Sequence, residues 1–328
     1  MTTVRPTTSA TAPVQGKRPT RRAVVAGSVA LATTIATRTA GITAAQPAPT
    51  ATMAGEEAVV GLYFLGLEPN RLGPQLRPWA AVATVDPADR RVATATLELL
   101  LAGPDKDVRA GGGVTAIPDG VRLLSADLVE DGLVRVDLSG EFLDTDIIPE
   151  LADRLATPAA GQNRSTADRA LRLRLAQIVL TLTRFETITG VDLRVDGQPA
   201  AIVDVLGNAV DGPATRDAFE DVIPLILIER PLPLETVGSS FAVSGSSNTF
   251  EGGQFLRLMT ADGDTLLDQP VQATSGSGVR GTFLADLAVP DGTESGTITL
   301  LGYELSARDG SEVNAFEVPL RFADVTAR

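Results

Sequence analysis

The stretch SGEFLDTDIIPE gathers four carboxylates, Glu141, Asp144, Asp146 and Glu150. Paired carboxylates can act as general acid and base on a glycosidic bond or hold a hard cation. Calcium takes about six to eight oxygens, and nothing in this spacing matches a known loop. The stretch therefore reads as a solvated acidic loop. Other chemistry is thinly supplied: the 328 residues contain no His and no Cys, which removes the commonest general base, thiolate metal sites and cysteine nucleophiles. A Ser or Thr nucleophile would depend on Lys106 or a carboxylate for its base, and Lys106, after Gly-Pro-Asp, reads as ordinary surface at a helix exit. The run AGGGVTAIP, residues 110–118, lacks the spacing and the lysine of a phosphate loop and reads as a mobile connection. Asp262-Gly263-Asp264 serves a turn. Glu251 stabilises a turn, with Phe250 before it in the core. Arg169, Arg172, Arg174 and Arg184 form a cationic helix face that could meet a partner's carboxylates but reads first as the solubilising outer side of an amphipathic helix. No catalytic, cofactor or metal residue is assigned.

Composition limits the partners. The chain has 28 basic and 41 acidic residues, a net charge of -13. Its first fifty residues hold six basic side chains and no acid, so their removal leaves -19. That field repels phosphate backbones and anionic lipid. Residues 17–45 run from basic (Lys17, Arg18, Arg21, Arg22) through apolar to small, the order of an export signal. Arg21-Arg22 resembles a twin-arginine signal, with Val24 where Phe is frequent. The apolar run is too short for a spanning helix. We expect an exported protein with no lipid-modified cysteine, and residues 46–55 as a flexible linker.

Elements follow from periodicity. EAVVGLYFL (57–65) and RPWAAVATVD (77–86) predict strands. In DRRVATATLELLLAGP, Ala93, Leu97, Leu100 and Leu101 share a face, Glu98 points to solvent and Gly103-Pro104 ends the helix. Asp131-Gly132 marks a hairpin, on whose second arm Val134, Val136 and Leu138 face inward. After a loop near 157–162, Ser165 and Asp168 form a capping box. The next helix aligns Leu171, Leu175, Ile178, Val179, Leu182 and Phe185, exits at Gly190, and leads to a strand turning at Asp196-Gly197. Helices on one face of a sheet give an α+β domain over 56–222, and the element order hints at a duplicated unit. From 223 to 323 short alternating runs predict about seven strands of a β-sandwich. Asp262-Gly263 makes a hairpin there, and Leu256, Leu258, Phe283, Ala285, Leu287, Phe316, Val318 and Leu320 face inward. Residues 324–328 are a tail.

LYFL, LLLAGP, TAIPDGVRLLSADLVEDGLVRVDLSGEF, IVLTLTRF, GVDLRVDGQP and VLGNAVDGPATRDAF, in this order, resemble the GerMN domain of bacterial sporulation and germination proteins. The resemblance implies an extracytoplasmic α+β domain, with helices on a mixed or antiparallel sheet, without established catalytic residues and linked with assembly of envelope complexes. VSGSSNTFEGGQFLRLMTADGDTLL is similar to the immunoglobulin-like domain of bacterial spore germination proteins, which often follows GerMN. The chain departs from many such proteins in lacking a lipobox cysteine. The expectation is a non-enzymatic envelope module without cofactor, whose partner is an envelope protein or a wall polymer. Glycan or small-molecule binding, and a carboxylate-dependent wall hydrolase, are the alternatives.

Overall fold

A computed structural model describes residues 57–66, 75–84, 92–130, 132–156, 165–200 and 212–323. Arg21, Arg22, the 46–55 linker, Asp131 and the loop near 157–162 lie outside them. All described residues belong to one compact unit, Ala44–Arg328.

Strand β1 (Glu57–Gly66) pairs antiparallel with β2 (Gln75–Thr84) from Glu57↔Thr84 to Gly66↔Gln75. On its other edge, β1 takes the short β3 (Gly113–Val114). Helices α1 (Val92–Leu101) and α2 (Lys106–Ala110) precede β3. Leu97 and Leu100 are fully buried, Glu98 is exposed, and Gly103 sits at φ +81 just past the helix. A left-handed exit of this kind is nearly free for glycine alone.

A second sheet has the order β4-β5-β6-β7: β4 (Leu123–Glu130), β5 (Leu133–Leu138), β6 (Gly190–Val195) and β7 (Gln198–Pro199). The first pair is antiparallel, as is the last, but β5 and β6 run parallel. Parallel neighbours need a long crossover, supplied by α3 (Pro149–Ala156) and α4 (Thr166–Leu182). This explains why a helix feeds a hairpin strand at 178–197. The helix ends at Leu182, earlier than Gly190, which instead opens β6. Ser165 caps α4, its Oγ accepting from Asp168 N at 3.1 Å. Ser165→Ala should lower stability by about 1 kcal/mol, read as a reduced urea midpoint with an unchanged slope.

Helices on one face of one sheet were expected. Two sheets are present instead, and α1 and α4 each touch strands of both. Burial along α4 is consequently continuous from Arg172 to Leu182, whereas the apolar stripe alone would bury about half of it.

Residues 226–322 form a sandwich. Its three-stranded sheet has the order β13-β10-β8, with β8 Ile226–Arg230, β10 Ser240–Ser247 and β13 Gly281–Ala288. The five-stranded sheet has the order β12-β11-β14-β15-β9, with β9 Thr236–Val237, β11 Gly253–Thr260, β12 Thr265–Gln272, β14 Gly296–Leu305 and β15 Glu312–Phe322. Leu256, Leu258, Phe283, Leu287, Phe316, Val318 and Leu320 are buried, as their alternation requires. Phe250 is not core: it is 68% exposed. It opens a 3-10 turn in which Glu251 takes φ +52, and this turn directs the ring outward. Strands dominate the described chain, helices being confined to its first part. No helix among the described residues is long and apolar enough to cross a membrane.

Candidate functional site

Two stretches that the sequence marked separately, the glycine run and the acidic loop, line one groove of about 650 Å³. Its other wall is the exit of α1 at Ala102–Pro104. Asp105 caps α2 by accepting from Asp107 N and Val108 N at 2.9 and 2.8 Å, and Arg109 Nε donates to Pro104 O at 2.8 Å. The glycine run is not the mobile connection that its composition implied. A Cβ on Gly111 would fall 2.4 Å from the Trp79 ring, and one on Gly113 would fall 2.4 Å from the Val108 side chain. Small residues there let the backbone lie flat on the core, and Gly113 and Val114 are held as β3 on the edge of β1.

The glycine-run and acidic-loop stretches are stapled together by α4. Arg174, 2% exposed, donates from Nε to Ala116 O at 2.8 Å, from Nη1 to Phe142 O at 2.8 Å and Asp144 O at 2.6 Å, and from Nη2 to Asp146 O at 3.1 Å. A planar guanidinium offers five donors in fixed directions, which suits acceptors arriving from two loops. One turn on, Gln177 Oε1 accepts from Ala116 N at 2.8 Å and its Nε2 donates to Tyr63 O at 3.0 Å. Burial pushes the Arg174 guanidinium below its ordinary value, with Asp144 and Asp146 acting against that.

This corrects the outer-face assignment of the arginines. Arg172 is 4% exposed, pairs with Asp221 and lies over Phe219. Arg184 is 7% exposed and donates to Glu229 O at 3.2 Å. Arg169 is half-buried and donates to Leu155 O. A helical wheel assumes water opposite the apolar stripe; here the 142–146 loop and the 3-10 turn Arg216–Val222 occupy that side. One signal was available: Arg174, Gln177 and Thr181 follow helical spacing inside an otherwise apolar run, and every basic residue on α4 is arginine.

The acidic residues are not brought together. Glu141 turns to Arg122, 4.0 Å away, and a hydrogen bond from the Ser139 side chain holds its carboxyl below the usual value. Asp144 and Asp146 line the groove, whereas the side chain of Glu150 lies outside the description. Among the described residues no group of three or more acidic side chains could hold a metal ion. Lys106 begins α2, away from the groove lining, and Asp262 and Asp264 flank Gly263 at φ +90 in the β11–β12 hairpin. What the groove presents is mixed: Asp119, Asp144 and Asp146 against Arg109, beside Ile147 and the 39% exposed Ile148. Such a surface can hold a ligand with basic and apolar groups in alternation.

Residues 61–201 match the Germane family of sporulation and spore germination, and residues 225–311 match Gmad2, the immunoglobulin-like domain of bacterial spore germination. Among solved structures, the tandem GerMN domains of the sporulation protein GerM from Bacillus subtilis are similar at 21% identity, over 50% of this chain and 47% of that one, with a TM-score of 0.33. This chain thus spans about half of that structure's length. The first GerMN domain of the same protein matches at 18% identity, over 49% of this chain and 98% of that one, with a TM-score of 0.31. A putative lipoprotein from Clostridium perfringens matches at 20%, over 51% and 94%, with a TM-score of 0.26. No curated protein matches the chain.

Proposed function

From a chain that carries a GerMN-type domain followed by a Gmad2-type immunoglobulin-like domain, we propose a non-enzymatic docking module, exported and working in the assembly of an envelope complex. Both domains are of the type associated with sporulation and spore germination. The observation that carries the docking role is the groove, two of whose lining loops Arg174 and Gln177 hold in place from within. A recess fixed by buried hydrogen bonds needs little ordering on binding, which favours recognition of a protein segment. Asp119, Asp144, Asp146, Ile147 and Ile148 select a segment with basic and apolar side chains. The basic, apolar and small order of residues 17–45 supports export.

A photo-crosslinking residue at Ile148, compared with one at the exposed Leu305 of the sandwich, tests this in intact cells. The expected result is a protein adduct from Ile148 alone, lost when Asp144→Lys and Asp146→Lys are added. The docking role through the groove fails if position 148 gives only wall polymer, or the same adducts as position 305.

A further inference from the structure

Strand β8 reads ILIER, and its two faces have different neighbours. Ile226 and Ile228 point into the sandwich, where a Cβ on Gly302 would come within 2.9 Å of Ile226 and 3.4 Å of Ile228. Leu227 and Glu229 occupy the opposite face, which an exposed sheet would leave to water, yet they are 0% and 3% exposed. The cover over Glu229 is the first domain. Glu229 Oε1 accepts from Tyr63 Oη of β1 at 2.8 Å and pairs with Arg216. Arg184, just past α4, places Nη1 4.0 Å from Glu229 Oε2. Arg216 also donates to Tyr63 Oη at 3.1 Å and to Leu180 O at 3.3 Å. Room for the Arg184 guanidinium comes from Gly61 on β1, where a Cβ would lie 2.5 Å from Nε. Burial pushes the Tyr63 hydroxyl above its ordinary value, so it remains a donor. Burial would lower the Arg216 guanidinium, but Glu229 and Tyr63 outweigh this and hold it above its usual value.

Two further contacts cross the same boundary. Glu220 takes a two-pronged bond from Arg280, Nε to Oε2 at 2.7 Å and Nη2 to Oε1 at 2.9 Å, and accepts from Asn248 Nδ2 at 3.1 Å. Arg77 of β2 lies 4.4 Å over the Phe316 ring of β15 and donates to Glu317 O. One contact would leave the domains free to swivel. Three contacts, reaching β8, the ends of β10 and β13, and β15, engage both sheets of the sandwich and remove that freedom.

We propose that these contacts lock the GerMN-type and immunoglobulin-like domains into one rigid, cooperatively folding body, with Glu229 as the central bolt. Its two guanidinium neighbours depend on one buried carboxylate, so removal of Glu229 leaves like charges facing each other in the interior and drives the domains apart. The lock is independent of what occupies the groove.

The absence of cysteine makes spin labelling clean. Nitroxides at Leu128→Cys on β4 and Leu305→Cys on β14, both exposed, report the separation of the domains in the full chain by dipolar spectroscopy. A single narrow distance is expected, broadening when Glu229→Ala and Arg280→Ala are added. Where that pair does not fold, Tyr63→Phe with Glu220→Gln removes the Tyr63 hydroxyl and the charge that pairs with Arg280 while Glu229 stays in place, and should give the same reading. Calorimetry of the parent chain should show one transition, with calorimetric and van't Hoff enthalpies equal. A broad distribution or two transitions in the parent overturns the lock. So does a narrow distance that survives the substitutions.

Discussion

Arg174→Leu is expected to cost about 3–5 kcal/mol and to dismantle the groove. The estimate comes from acceptors, not from the charge: each buried carbonyl left without a donor costs about 1–3 kcal/mol. Four carbonyls lose theirs, at Ala116, Phe142, Asp144 and Asp146. The total falls short of four full penalties because the 144–146 carbonyls are only partly buried and can turn to water. Leucine fills much of the space, so the loss measures hydrogen bonding more than a cavity. Arg174→Lys keeps the charge but not the planar spread of donors, and should recover only part of the loss. The readouts are the urea midpoint and crosslinking through Ile148, which should both fall. A lysine variant equal to the parent in both would show that the fork geometry is irrelevant.

Leu182→Asp should abolish the fold of the first domain. The side chain is 0% exposed on the last turn of α4, between elements that leave a carboxylate no water. An unpaired buried charge costs many kcal/mol, against a total stability of about 5–15 kcal/mol. The cooperative thermal transition seen by circular dichroism should disappear. Leu182→Met, a volume-conserving change, should cost under about 1.5 kcal/mol and separates loss of shape from burial of charge. A Leu182→Asp chain that melted normally would remove α4 from the core.

Local grammar was legible in the sequence. The turns at Gly132, Asp196-Gly197 and Gly263 all have positive φ, as Asp-Gly predicts, and the inward residues of β11, β13 and β15 follow from alternation. What escaped depends on distant neighbours. Parallel pairing of β5 with β6 leaves no mark on either strand, because the register is set across a helical crossover. Arg172, Arg174 and Arg184 read as solvent-facing because the residues that cover or pair with them, at 142–146, 216–222 and Glu229, lie far off in sequence. The groove was half legible: the glycine run and the acidic loop were each singled out, but their meeting is arranged from a third element. Glu229 drew no notice, since one acid at the end of an apolar strand looks like its exit to solvent.

The inward arginines also alter how the molecule meets its surroundings. Among the described residues Arg172, Arg174 and Arg184 are interior and so is Glu229, so more positive than negative charge is withdrawn from solvent at these four positions. These arginines serve internal scaffolding, which shifts the balance of the exterior toward its carboxylates. At physiological ionic strength that potential reaches about 8 Å into solution. The basic segment proposed as partner would be drawn in before any contact forms, and its capture rate should fall as salt is added. Its residence would depend on the short-range fit of the recess, so salt should tune arrival much more than departure.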